Sequence, residues 1–153
     1  MTNLLRRLQR AAREDPRTEW FDVVSKAGIE HAEDVFGFAL PDILRHSYLS
    51  ISNGGFGPGY HIIGLPGGQE SSWGDLLATW AALKDDEEWE EDWLPIIDWG
   101  CAQVSIIDCD DNFSMITLHE GEYYPEDYTF DELLERWIGG ESPELSRGDF
   151  ARP

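Results

Sequence analysis

Apolar residues recur at helical spacing in several parts of this chain. Near the N-terminus, Leu4, Leu5 and Leu8 fall on one face of an amphipathic helix that Pro16 ends. The same spacing predicts four later helical segments, at 29–36, 41–51, 73–83 and 130–138.

Polar residues and glycines mark the ends of these segments. Ser72, with Asp75 three residues later, is expected to cap segment 73–83. Thr129 and Glu132 have the spacing of a capping box at the start of segment 130–138, which Gly139-Gly140 ends.

Short apolar runs between the last two helices predict strands. Three of them follow one another, at 94–99, 103–109 and 113–119. Gly100 and residues 110–112 supply the turns between them. A separate run at 60–65 predicts one further strand.

This order of elements predicts the fold class. Helices at both ends of the chain around a meander of consecutive strands indicate an α+β fold with a central, mostly antiparallel sheet. No repeat or linker divides the chain. We therefore expect a single domain over residues 1–140 and a polar C-terminal tail over residues 141–153.

The glycine-rich stretch SNGGFGPG, residues 52–59, raises the question of phosphate binding. A phosphate-binding loop follows a strand and precedes a helix, whose N-terminal amides point at the anion. Here the glycines follow a predicted helix that begins near Leu40-Pro41, and Asn53-Gly54-Gly55 is expected to stop it. The run is therefore expected to turn the chain and not to hold a nucleotide.

Charge is distributed unevenly along the chain. The formal net charge is −20; residues 1–45 hold seven bases and eight acids, whereas residues 46–153 hold four bases and twenty-three acids. Such a surface repels nucleic acid and anionic membranes and attracts basic partners.

Apolar runs and cysteines indicate the compartment. The apolar runs are too short to span a bilayer, and the N-terminus lacks the apolar core of a signal peptide. Cys101 and Cys109 flank a predicted strand and are expected to stay reduced. These features predict a cytoplasmic protein.

The densest charge lies in residues 85–92, where seven acids surround Trp89. One interpretation is a solvated loop whose tryptophans are tucked inward. The other is a docking loop, in which an exposed aromatic side chain anchors a partner and the acids steer a basic surface. The candidate partner-binding residues are Asp85, Asp86, Glu87, Glu88, Trp89, Glu90, Glu91 and Asp92.

The motifs of common enzymes are incomplete in this chain. His119-Glu120 begins like a zinc-protease motif, but Tyr123 stands where the second histidine belongs. Asp108 and Asp110 begin like a calcium loop, but Phe113 replaces its glycine. We therefore predict no catalytic residue, metal or cofactor.

Several blocks together resemble the SUKH superfamily over about residues 20–140. These blocks are Leu40-Pro41 with its apolar helix, Asn53-Gly54-Gly55, Asp98-Trp99-Gly100 and the closing helix with Trp137. The superfamily includes the fungal Smi/Knr regulators of cell-wall synthesis and many bacterial immunity proteins. The resemblance implies an α+β fold and a non-enzymatic, protein-binding role. The residues that match its pattern, most of them expected to serve the fold, are Leu40, Pro41, Asn53, Gly54, Gly55, Asp98, Trp99 and Trp137.

Two functions fit the resemblance and the charge. The leading hypothesis is an acidic immunity protein that binds and neutralises a cognate toxin domain, with a basic nuclease as the favoured class. The alternative is an intracellular regulatory or scaffold protein of the fungal type, with a partner that is not a toxin. The identity of the toxin, the surface that contacts it and the oligomeric state stay open.

Overall fold

In the computed structural model, a four-stranded antiparallel sheet with strand order β1-β2-β3-β4 forms the centre of the protein. The structure describes residues 3–141 and Leu145, so almost all of the predicted tail 141–153 lies outside the described residues. The α+β prediction is confirmed. The elements are α1 Asn3–Glu14, α2 Lys26–Phe36, α3 Asp42–Ser50, α4 Leu76–Leu83, β1 Trp93–Gly100, β2 Gln103–Asp108, β3 Ser114–His119, β4 Glu122–Thr129 and α5 Phe130–Ile138.

Local capping explains where the helices begin. The hydroxyl of Ser25 accepts a hydrogen bond from the amide of Gly28 at the start of α2. At the start of α5, Thr129 and Glu132 form the predicted capping box. Helix α4 departs from the prediction, because Asp75 and not Ser72 is its N-cap residue.

The two faces of the sheet pack against different partners. Side chains alternate along each strand, so neighbouring residues such as Ile106 and Ile107 point to opposite faces. Ile107 belongs to the main core between the sheet and the helices. Ile106 belongs to a second, smaller core on the outer face, with Trp93, Val104, Ile116 and Leu118. The sheet is therefore buried on both faces, and the side chains that cover the outer face include Trp73, Leu83, Trp89 and Tyr123.

Strand β4 is missing from the sequence prediction. Its sequence, EYYPEDYT, contains four polar or charged residues and a proline, and most of its side chains are half buried or exposed. Pro125 is tolerated because β4 is an edge strand, where one side of the backbone needs no partner. The sheet thus has four strands and not three.

The predicted strand at 60–65 is wrong. This stretch makes only an isolated bridge, between Ile62 and Ile97 of β1. The preceding Pro58-Gly59 turn and the left-handed backbone of His61, with φ of 80°, prevent extended pairing over more residues.

Candidate protein-binding surface

Residues 84–92 connect α4 to β1 as a loop of successive turns. Six of the seven acidic side chains in 85–92 are exposed, and Asp92 is half buried. The one basic residue of the loop is Lys84, whose Nζ lies 3.8 Å from Oδ1 of Asp85. At this separation and exposure the pair stabilises the loop little. The carboxylates therefore face solvent as a group.

An aromatic cluster holds this loop on the outer face of the sheet. The ring of Trp89 lies 5.4 Å from that of Trp93 and 6.3 Å from that of Tyr123, in edge-to-face arrangements. Trp93 and Tyr123 are 5.1 Å apart. Such ring pairs each contribute about 0.5–1.5 kcal/mol beyond their buried area. The cluster therefore fixes the position of loop 84–92, which we call the acidic loop.

Trp89 is not the exposed anchor that the docking-loop interpretation expected. It is half buried, and it packs against the small outer core of the sheet. The other interpretation, a loop whose tryptophans are tucked inward, agrees with this packing. The packing partner Tyr123 belongs to the strand that the sequence did not predict. The exposed carboxylates of 85–92 agree with the docking-loop interpretation.

A hydrogen bond ties the loop to β4. The hydroxyl of Tyr123 donates to Oδ2 of Asp86 at 3.0 Å. Partial burial raises the pKa of Tyr123 above its usual range, and the bond to Asp86 raises it further. Tyr123 thus keeps its proton and acts as a donor at any physiological pH.

The turn between β2 and β3 extends the same charged surface. The amide of Cys109 donates to the carbonyl of Asp92 at 2.9 Å, which brings this turn beside the acidic loop. Desolvation raises the pKa of Asp92, and neighbouring carboxylates raise it further. These neighbours are Asp110, Glu91 and Asp108. The two segments therefore form one charged surface.

We call this surface the acidic surface. It consists of the seven acids of 85–92 and three acids at the end of β2 and in the turn that follows, Asp108, Asp110 and Asp111. The sequence predicts residues 110–112 as a turn and does not predict that they join this surface. The predicted β1–β2 hairpin could have indicated that the turn belongs to this surface. Because the two strands are antiparallel, β2 must end beside the residue where β1 begins. The observed register pairs Trp93 with Asp108.

The family-motif residues Asn53, Gly54 and Gly55 lie in the interior, away from solvent. The side-chain oxygen of Asn53 accepts from the amide of Leu65 at 2.7 Å, and its NH₂ group donates to the carbonyls of Leu65 and Pro66. Asn53 therefore holds the loop that follows and is not a helix cap. Helix α3 ends earlier, at Ser50.

The two glycines after Asn53 allow close approach of the chain to itself. Both have positive φ, 73° at Gly54 and 86° at Gly55. A Cβ at Gly54 would lie against the carbonyl of Ile62, and one at Gly55 against the carbonyl of Glu19. These positions contact backbone, so they serve the fold.

Asp98 joins β1 to the loop before α4. Its buried carboxylate accepts from the amide and hydroxyl of Ser72, at 2.9 and 2.7 Å, and from the amide of Gly100 at 2.8 Å. Because the amide and hydroxyl of Ser72 both bind Asp98, Ser72 does not cap α4. The adjacent Trp99 donates from Nε1 to the hydroxyl of Ser105 at 2.8 Å.

The other motif residues lie in or beside helices. Leu40 is buried, and its amide donates to Oε2 of Glu33 in α2 at 2.7 Å. The carbonyl of Pro41, the N-cap residue of α3, accepts from the amide of Arg45 at 2.9 Å. Trp137 of α5 packs against Phe56, with ring centroids 6.5 Å apart. None of the eight motif residues belongs to the acidic surface.

The described part of the chain contains neither a metal-holding cluster nor a membrane-spanning helix. Within residues 3–141 and Leu145, no three His, Cys, Asp or Glu side chains are placed to hold a metal ion together. Every described helix is too short or too polar to cross a bilayer.

Comparison with known proteins identifies the family. A search of curated proteins finds no match to this chain. The family described as SMI1 / KNR4 family (SUKH-1) matches residues 24–136, a region that includes the whole sheet and the acidic surface. The resemblance noted in the sequence is thereby confirmed, and the chain belongs to the SMI1 / KNR4 (SUKH-1) family.

Proposed function

We propose that this protein is a non-enzymatic immunity protein that binds a cognate toxin domain through its acidic surface and blocks it. Membership of the family supports a protein-binding role. The observation that carries the proposal is the acidic surface itself, in which ten carboxylates come from two adjoining segments and the longer segment packs on the aromatic cluster.

Charge favours a nuclease as the toxin class. A nuclease binds phosphates, so the surface around its active site is basic. A dense group of carboxylates would compete with nucleic acid for that surface and would speed encounter between the two proteins. The same charge disfavours nucleic acid and anionic membrane as partners of this protein.

Because the aromatic cluster orders the acidic loop, it also affects the affinity for a partner. A partner that meets a preordered loop does not have to order it on binding, which lowers the entropic cost of association. Steering by exposed charges mainly changes the association rate, whereas buried contacts set the dissociation rate. We therefore propose that the acidic surface steers and orients the toxin.

Co-expression tests the proposal. The proposal expects a gene for a toxin-like domain beside the gene of this protein. That domain should arrest growth of a host cell when produced alone, and co-production of this protein should restore growth. The purified pair should form a stable complex in which the toxin's activity on nucleic acid is lost. A protein that forms no complex with that domain and leaves its toxicity unchanged would contradict the proposal.

The regulatory alternative makes a different prediction. If the neighbouring gene encodes no toxin and the protein binds a basic partner that does not harm the cell, a scaffold role of the fungal type explains the acidic surface. Both functions use the same surface, so the identity of the partner decides between them.

A further inference from the structure

A cavity of about 290 Å³ lies beside the acidic surface, between α2, α4 and the acidic loop. It is lined by Phe36, Trp80, Lys84, Trp89 and Glu91. Three of these side chains are aromatic and one is a carboxylate. An aromatic wall next to an acid is the chemistry that proteins use to hold an organic cation.

The aromatic walls present ring surface to the cavity. Phe36 is buried and packs edge-on against Trp80, with ring centroids 5.2 Å apart. Trp80 and Trp89 are half buried, and Nε1 of each is shielded from solvent. The accessible part of each indole is therefore its carbon surface, whose face attracts cations.

The cavity already holds one cation, which the chain itself supplies. Nζ of Lys84 lies 5.1 Å from the ring centroid of Trp80, within the range of a cation–π contact. The Lys84 side chain remains 40% exposed. Its ion pair with Asp85 is long, with 3.8 Å between Nζ and Oδ1. A long, exposed side chain held this loosely can be displaced.

We propose that this cavity receives an arginine side chain of the partner protein, which replaces the Lys84 ammonium group on Trp80. The inference rests on the proposed function, because it assumes a basic protein at the acidic surface. Arginine fits better than lysine for two reasons. Its planar guanidinium stacks on an indole, and its fork of N–H donors can pair with the carboxylate of Glu91 at the same time.

A small-molecule probe tests the cavity without the partner. N-acetyl-arginine methylamide is titrated into the whole protein, and the tryptophan indole signals are followed by NMR. The arginine probe should shift the signals of Trp80 and Trp89. The matched citrulline derivative, which has nearly the same shape and no charge, should not. Equal shifts with both derivatives, or none with arginine, would overturn the proposal.

Two matched pairs of variants separate the cavity from general charge attraction. Lys84→Ala removes the resident cation and should strengthen binding of the arginine probe about threefold. Lys26→Ala, which removes the other lysine of the chain from the start of α2, should leave it unchanged. Glu91→Gln should weaken binding about threefold, whereas Glu87→Gln, in the same loop but outside the cavity, should have no effect. If the members of each pair behave alike, the attraction is diffuse and the cavity is not the site.

The outcomes distinguish this inference from the proposed function. If the arginine probe occupies the cavity but the toxin is not bound, the cavity is a site for arginine and the immunity role is refuted. If the toxin is neutralised by the unmodified protein and equally by the Lys84→Ala and Glu91→Gln variants, and the probe moves neither tryptophan, the immunity role stands and the cavity fails.

Discussion

Asn53 illustrates, at the scale of single residues, how a motif residue can serve the fold by binding backbone. Its amide group satisfies one donor and two acceptors of residues 65 and 66. Residue 54 is a glycine because the carbonyl of Ile62 lies where the Cβ of any other residue would be. Asn53 and Gly54 thus allow the loop that contains residues 65 and 66 to pack against the chain just after α3.

Substitution of Gly54 tests this account. Gly54→Ala should lower the free energy of unfolding by about 2 kcal/mol or more, because it combines a left-handed backbone with a steric clash. Gly67→Ala is the matched control, since Gly67 has φ of 92° but no atom within 4 Å of its added Cβ. That variant should lose only about 1 kcal/mol. Equal losses in urea unfolding would refute the close-approach argument.

Asp92 gives a prediction on pH. Its pKa in the folded state is raised above the usual 3.8, so the folded protein binds this proton more tightly than the unfolded chain does. Ionised Asp92 therefore lowers stability at neutral pH, and the penalty fades as the pH falls through the raised pKa towards 3.8. Asp92→Asn should thus raise the free energy of unfolding at pH 7 by a few tenths of a kcal/mol.

The same variant has an internal control. The gain from Asp92→Asn should shrink as the pH falls through the raised pKa and vanish well below pH 3.8, where the carboxyl is protonated in both the folded and the unfolded states. Asp22→Asn, in the nearly neutral first 45 residues, should give no comparable gain at pH 7. A gain that persists unchanged at pH 3.8 would show that charge repulsion is not its cause.

At the scale of elements, the acidic loop depends on β4, and the hydrogen bond from Tyr123 to Asp86 is their polar link. Tyr123→Phe removes the bond and keeps the aromatic cluster. We expect it to lower the free energy of unfolding by about 0.5–1.5 kcal/mol and to speed amide exchange in 85–92. Tyr124→Phe makes the same change on the same strand and should leave exchange in the loop unaltered. Unchanged exchange in both variants would mean that the rings alone hold the loop.

Most elements could be predicted because their signals are local. The apolar spacing of α1, α4 and α5, the capping box at Thr129 and the turn at residues 110–112 each lie within a few residues of sequence. Strand β4 could not be predicted in this way. Its polar residues are accommodated by tertiary contacts, such as the hydrogen bond from the Thr117 hydroxyl to Glu126.

The candidate site was predictable in composition and not in geometry. The density of acids in 85–92 is a property of the sequence, and their exposure follows from charge. The burial of Trp89, the addition of the β2–β3 turn and the cavity at Trp80 all depend on how distant segments pack. No local pattern specifies those contacts.

The whole molecule carries its surplus charge on one part of the chain. The formal net charge of −19 in residues 46–153 opposes compaction through self-repulsion, which salt screens. Raising NaCl from 10 mM to 300 mM should therefore raise Tm by roughly 3–8 °C. Differential scanning calorimetry measures this directly. A Tm that does not change with salt would show that the carboxylates are already compensated.

Two variants that each lose four negative charges test whether the toxin docks on the acidic surface. The acidic-surface variant carries Asp85→Asn, Glu87→Gln, Glu88→Gln and Glu91→Gln. The control variant carries Glu14→Gln, Glu19→Gln, Asp22→Asn and Glu30→Gln, all at exposed positions in the first 45 residues. Far-UV circular dichroism and urea unfolding establish that both variants are folded.

The measurement is the association rate constant of each variant with the neighbouring toxin domain, by stopped-flow fluorescence at low and moderate salt. If the toxin docks on the acidic surface, the acidic-surface variant should associate about tenfold more slowly at low salt and with a weaker salt dependence, while the control variant changes by about twofold or less. If the two variants associate at the same rate and with the same salt dependence, the toxin does not dock on the acidic surface.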